Sequence, residues 1–149
     1  MSLQIIRKAR RSDLHRIVGL LESESLPLEG VLDHLQNFMV AEVDGTVVGS
    51  IGLEVYDETA LLRSAVVDTS HRNTGIGTRL FDTLIGYARE LGVNRLLLLT
   101  NTAEGYFLRK GFVRIERGSV VGPVTTSTEF AGACPSNAVC MELILRCES

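Results

Sequence analysis

The chain has 149 residues, enough for one domain that buries a substantial core without metal or disulfide staples. Its composition, 45% hydrophobic and 22% charged with a formal net charge of −3, reads as soluble and globular, and it argues against nucleic-acid binding by phosphate neutralisation. Cys134, Cys140 and Cys147 are an odd number of cysteines, which suits reduced thiols better than a disulfide framework.

No run approaches transmembrane length, and the first ten residues lack the apolar core of a signal peptide, so a cytoplasmic location is expected. In chain order, residues 3–9 predict a strand. Ser12 is a candidate N-cap for a helix carrying Leu14, Ile17, Val18, Leu20 and Leu21, ending near Leu26-Pro27. A second short helix is expected over residues 29–36 despite Gly30, with Val31, Leu32 and Leu35 facing the core or a substrate entrance. Residues 38–43 and 46–55 flank Asp44-Gly45, the pattern of a hairpin with a type I′ turn. A further strand is predicted over residues 60–68.

That strand ends in Val66-Val67-Asp68 and a short polar loop, after which Gly75 and Gly77 open a periodic helix. Ile76, Leu80, Phe81, Leu84, Ile85, Ala88 and Leu91 fall at the spacing of one buried helical face. The first N–H groups of a helix have no internal acceptor, and the macrodipole is positive there, so a strand–Gly-loop–helix joint suits an anion. Gly75 and Gly77 remove side chains from the approach, and Arg72, Thr74 and Thr78 add donors. An ordinary strand–loop–helix joint is the competing explanation for the same residues.

The helix is expected to end at Gly92, a residue suited to a left-handed cap. Residues 93–100 form a nearly continuous apolar run, as a strand covered on both faces would. A short helix over 103–109, a strand over 112–116 and a last strand over 138–145 complete the pattern. Between them, residues 117–137 make a long polar connection, a length usually associated with function or disorder.

Arg72-Asn73-Thr74-Gly75-Ile76-Gly77 resembles the Arg/Gln-x-x-Gly-x-Gly/Ala motif of the GCN5-related N-acetyltransferases (GNAT). A second landmark of that family, an alanine-containing short helix followed by Gly-Phe, is matched by residues 103–112. The resemblance covers essentially the whole chain as a single 1–149 domain. It implies an α/β (α+β) fold with one mixed sheet of about seven strands flanked by about four helices, in the order β-α-α-β-β-β-α-β-α-β-β. It also implies acetyl-CoA as co-substrate without a metal, and an N-acetyltransferase activity.

By that resemblance, Arg72, Asn73, Thr74, Gly75, Ile76, Gly77 and Thr78 hold the pyrophosphate. Val66 and Val67 lie beside the pantetheine arm, with a backbone N–H near the thioester oxygen as oxyanion donor. Many members carry a tyrosine four residues before the glycine of Gly-Phe to protonate the thiolate. Here Phe107 stands there, in the cofactor-binding set but with no proton to give. Tyr106 is the neighbouring candidate acid, about 100° round the helix, and water is the alternative. Thr100 occupies a position where the family often has Asn.

Glu54 is the leading candidate for the general base, with Glu104 and Glu129 behind it; a salt-bridged or solvated carboxylate is the competing explanation for each. Arg63 interrupts an apolar strand, so it either reaches out to an edge or recognises a substrate oxyanion, with Glu129 also in the substrate-binding set. His71 could assist at the phosphates or be a surface loop residue.

Leu62-Arg63-Ser64, residues 100–107, Glu129-Phe130, Cys134-Pro135 and Cys140-Met141 resemble a subgroup of arsenic-resistance N-acetyltransferase-like proteins. That resemblance implies a small-molecule primary amine as partner, of the type of an amino-acid-like toxin or metabolite. Three other readings stay open: a CoA-binding sensor with weak catalysis, a peptide or protein N-acetyltransferase, and a thiolate module for soft metals or metalloids built on Cys134 and Cys140. A homodimer is compatible with all of them, and neither nucleic acid nor membrane is an expected partner.

Overall fold

Alternating apolar residues along the strands and a 3.6-residue apolar stripe along the helices decide which surfaces meet. The computed structural model describes residues 3–133 and 138–145. Its strands are β1 (Gln4–Lys8), β2 (Phe38–Val43), β3 (Thr46–Tyr56), β4 (Thr59–Val67), β5 (Arg95–Thr100), β6 (Val113–Ile115) and β7 (Val139–Ile144). The α-helices are α1 (Leu14–Ser23), α2 (Ile76–Glu90) and α3 (Glu104–Arg109). One mixed sheet runs in the order β1-β2-β3-β4-β5-β7-β6, antiparallel throughout except for the parallel β4–β5 pair. Among the described residues, no helix is long and apolar enough to cross a membrane.

Both faces of the sheet are covered, as the apolar run of β5 requires. On one face Leu53, Leu62, Leu96, Leu98 and Met141 pack against Ile76, Leu80, Leu84 and Ala88 of α2. On the other, Phe38, Val40 and Val66 meet Ile17, Leu20 and Leu21 of α1. Further along that second face, Leu61, Leu97 and Cys140 are covered by Val120, Val124 and Phe130. The polar connection after β6 is therefore a packed strap over the described part of its course, made of short turns at Arg117–Ser119, Pro123–Thr126 and Glu129–Ala133. Its apolar residues are too widely spaced to have announced this.

The hairpin turn has Asp44 at φ 51° and Gly45 at φ 84°, the two left-handed positions that a type I′ turn demands. Gly52 has a different role: a Cβ there would lie 2.3 Å from the ring of Phe38, so that ring lies directly on the β3 backbone.

Two expectations are corrected. Residues 29–36 do not form a helix; they run through turns, with Gly30 at φ 85°, into a 3₁₀ turn at Leu35–Asn37. Three α-helices therefore flank the sheet within the described residues, and Leu32 is exposed while Val31 and Leu35 are buried. Ser12 is not the cap of α1 either. Asp13 stands at that position without a side-chain bond to the helix; its carboxylate reaches back, accepting the Arg10 backbone N–H at 2.7 Å and a two-pronged contact from Arg7 at 2.8 and 3.0 Å.

Candidate active site

The sheet opens where the site is expected. β4 and β5 pair only over Thr59–Leu61 and Arg95–Leu97, so from Leu62 and Leu98 onward the two strands have no ladder between them. In the same part of β4 a bulge sets Ser64 and Ala65 against the single residue Ile51, with Ser64 at φ 58°. Ser50 Oγ donates to the Ser64 carbonyl at 2.8 Å and fixes the bulge from β3. The result is an edge of β4 backbone, ending in Val66 and Val67, that an extended ligand can pair with.

Beyond Val67 the chain turns through Thr69–His71 and enters α2. Asn73 at φ 64° and Gly75 at φ 85° are both left-handed, and Gly75 is the N-cap with no side-chain cap bond. The first helical N–H groups, from Ile76, Gly77 and Thr78, thus emerge uncapped by any side chain. Nothing lies within 4 Å of where a Gly75 Cβ would stand, so the approach is open. Arg72 donates from Nε to the Val67 carbonyl at 3.1 Å and pairs with Glu24 just beyond α1. The Thr74 hydroxyl donates to the His71 carbonyl, and His71 Nδ1 lies 3.0 Å from Ser70 Oγ. Lys110, which sequence reasoning did not single out, donates to Thr78 Oγ1 at 3.1 Å and brings a second cation to this helix end. Open backbone donors, Arg72, Lys110 and a hydroxyl together fit a pyrophosphate.

Tyr106 points at this junction. Its hydroxyl lies 3.5 Å from where a Gly77 Cβ would stand, with Val67 Cγ2 at 3.9 Å from the same point. Burial pushes its phenol up, keeping the proton on oxygen. Phe107 turns the other way. It is buried in the core, edge-on to Tyr106 and Phe112 at centroid distances of 5.2 and 5.4 Å, and serves packing rather than the cofactor surface. Thr100 Oγ1 accepts the Ala103 N–H at 3.0 Å, in the turn ahead of α3.

On the opposite sheet face sits a buried polar cluster. Arg63, its side chain fully enclosed, reaches Glu54 Oε2 at 2.6 Å, Glu129 Oε2 at 2.9 Å and Ser64 Oγ at 3.1 Å. It also donates to the carbonyls of Glu29 at 2.6 Å and Pro27 at 3.2 Å. Arg63 therefore neither reaches an edge nor presents a free guanidinium; a substrate oxyanion would have to displace a carboxylate. Glu54 and Glu129, for which an exposed salt-bridged or solvated residue is the competing explanation, are salt-bridged to Arg63 but buried in the same cluster. Glu104 is at the surface, 3.9 Å from Arg114.

Glu54 Oε1 accepts the Tyr56 hydroxyl at 2.6 Å and lies 3.8 Å from His34 Nε2. Burial opposes ionisation of Glu54, but the bonds from Tyr56 and Arg63 outweigh it and hold the carboxyl below its usual range. Burial and the Glu54 bond push the Tyr56 phenol up to about 12. The Ser127 hydroxyl, buried beside Glu54 and Tyr56, has no hydrogen bond of good geometry among the described residues. Arg63 thus ties the 27–30 segment and the strap together at the level where β4 leaves β5.

Cys134 lies outside the described residues. Cys140 is buried in β7, where burial pushes its thiol up and makes it unreactive. Among the described residues no group of three His, Cys, Asp or Glu side chains is placed to hold a metal.

Residues 4–112 match the family model described as Acetyltransferase (GNAT) family. The chain belongs to the GNAT family. An uncharacterised N-acetyltransferase of Chlorobaculum tepidum is 32% identical over 75% of this chain and 77% of its own length. An amino-acid acetyltransferase of Mycobacterium tuberculosis is 34% identical over 80% of this chain and 74% of its own. A Ralstonia nicotianae protein of the same description is 33% identical over 74% of this chain, which spans 27% of that longer relative. Among solved structures, a Mycobacterium tuberculosis protein in complex with CoA and NLQ superposes with a TM-score of 0.78 at 28% identity, covering 95% of this chain and 99% of that one. N-acetylglutamate synthase from Neisseria gonorrhoeae, complexed with coenzyme A and N-acetyl-glutamate, shares the fold with a TM-score of 0.82 at 23% identity, over 97% of this chain and 35% of that one. The mixed seven-stranded sheet with its flanking helices is the GNAT fold, and the chain is an acetyl-CoA-dependent N-acetyltransferase of the GNAT type.

Proposed function

We propose that this GNAT enzyme acetylates the amine of an amino acid or amino-acid-like small molecule. The observation that carries the reading is the 34% identity, over 80% of this chain, to an amino-acid acetyltransferase.

Acetyl-CoA supplies the activated thioester carbonyl. Arg72, Asn73, Thr74, Gly75, Ile76, Gly77 and Thr78 receive its pyrophosphate, joined by Lys110. The free β4 edge at Val66 and Val67 pairs with the pantetheine arm, and a backbone N–H there faces the thioester oxygen. Holding both reactants at the fork between β4 and β5 supplies much of the rate through proximity. Glu54 takes the proton from the acceptor ammonium, directly or through water, and Tyr106 returns one to the leaving thiolate. Arg63 and Glu129 shape the acceptor pocket, Arg63 as the counter-ion that keeps Glu54 ionised.

Toxins bearing an arsinate or phosphinate are the narrower reading; the engagement of Arg63 with two carboxylates weighs against its contacting such a group. CoA release from acetyl-CoA across amino acids, phosphinate analogues, polyamines and short peptides, with a no-acceptor control, tests the proposal. Release dependent on an amino acid supports it, and release only with peptides or polyamines overturns it.

A further inference from the structure

A carboxylate held ionised by short hydrogen bonds is a poor resting place for a proton. Glu54 is such a group, bonded on Oε2 by Arg63 and on Oε1 by Tyr56, each at 2.6 Å, and 1% exposed. A proton it takes from an acceptor must pass on before the next turnover, and little of Glu54 itself faces solvent. His34 does reach solvent. A quarter of its side chain is exposed, Nε2 lies 3.8 Å from Glu54 Oε1, and its ring is tilted against Tyr56 with centroids 6.2 Å apart.

We propose that His34 is the proton outlet of the acceptor site, taking from Glu54 the proton that the acceptor ammonium loses and releasing it to water. The inference rests on Glu54 as the base in the reading above. An N–H bond of the ammonium breaks, its electron pair stays on nitrogen as the nucleophile, and the proton joins Glu54. The new O–H bond then breaks as His34 Nε2 forms an N–H bond, leaving a carboxylate and an imidazolium. The imidazolium gives up a proton to water, and exchange between Nδ1 and Nε2 through water restores the tautomer with Nε2 free to accept. Imidazole is suited to this step because it exchanges protons near neutral pH.

The groups facing His34 are Glu54 and Tyr56 of β3, with Arg63 of β4 behind Glu54 and Glu129 of the strap behind Arg63. Tyr56 keeps its proton across the working range and acts as a donor to Glu54 rather than a rival base. His34 acts through Glu54 and is a positioning residue in this scheme.

His34→Gln and His34→Ala test it on the intact chain with the best amino-acid acceptor, alongside Glu54→Gln. Both His34 variants are expected to lose about tenfold or more in kcat with KM for acetyl-CoA unchanged, and to change the pH profile of kcat. Added imidazole is expected to restore rate to His34→Ala but not to Glu54→Gln. A His34→Gln enzyme with wild-type kcat and pH profile overturns the inference, as does a His34→Ala loss that imidazole leaves untouched. A Glu54→Gln enzyme with wild-type rate overturns the base assignment itself, which separates the two failures.

Discussion

Arg72 and Val67 are joined side chain to backbone: the guanidinium Nε donates to the Val67 carbonyl at 3.1 Å, across the turn that leads from β4 into α2. The residue that opens the glycine loop is thereby fixed to the end of the strand whose edge stands free beside β5. In the proposed reading that bond couples pyrophosphate binding to thioester placement. Arg72→Ala is expected to raise KM for acetyl-CoA about tenfold or more with a smaller change in kcat, measured at saturating acceptor. A variant with unchanged KM would separate Arg72 from the cofactor.

The two glycines of the loop respond differently to a methyl group. Gly75 stands at φ 85°, so Gly75→Ala is expected to cost about 1–2 kcal/mol of stability through backbone strain alone. Gly77 is helical, and a Cβ there meets the Tyr106 hydroxyl at 3.5 Å, an ordinary contact. Gly77→Ala is therefore expected to fold with near-wild-type stability and to show any defect in acetyl-CoA affinity. Urea unfolding beside KM measurements distinguishes the two effects.

Arg63 serves two buried carboxylates at once. Arg63→Met would take from Glu54 and Glu129 the buried cation they share, at a cost of about 3–5 kcal/mol. Glu54→Gln added to Arg63→Met is expected to recover part of that loss, because one of the two carboxylate charges is gone. Additive losses in the double variant would show that the two side chains do not interact.

The Asp13 contacts ahead of α1 make stability depend on acid. The bidentate contact from Arg7, then the Arg10 backbone N–H, hold Asp13 below the usual carboxylate range against the opposing effect of burial. A group whose native value is depressed contributes stability above the ordinary aspartate range, near pH ~4, and loses it as pH falls through the lower native value. Asp13→Asn is expected to lower Tm at neutral pH and to flatten its dependence on pH across that acid window. An equally steep acid limb in the variant would place the titration elsewhere.

Much of this arrangement was legible in the chain. The α2 periodicity, Asp44-Gly45, Gly92 and the apolar run of β5 each name a local conformation through one strong physical preference, and the structure has all four. The glycine loop was legible for the same reason, since Gly75 takes a backbone angle that few other residues tolerate. The buried cluster was not. Glu54, Arg63 and Glu129 come from three separate segments, and nothing local to any of them records that the others neutralise it. His34 was hidden by the expected helix over residues 29–36, which Gly30 breaks at φ 85°. Packing misled in the other direction at residues 117–133, where Val120, Val124 and Phe130 suffice to seat a polar strap on Leu61 and Leu97. Lys110 reaches Thr78 because the end of α3 lies near the start of α2, a long-range contact that no spacing announces.

The measurement that bears most directly on the account is the product formed when the purified chain is given acetyl-CoA and an equimolar mixture of amino acids, a polyamine and a short peptide, followed by mass spectrometry. The account predicts an amino acid one acetyl group heavier as the main product, formed only with enzyme present and lost in Glu54→Gln. Acetylated peptide or polyamine as the main product, with the amino acids untouched, would contradict it.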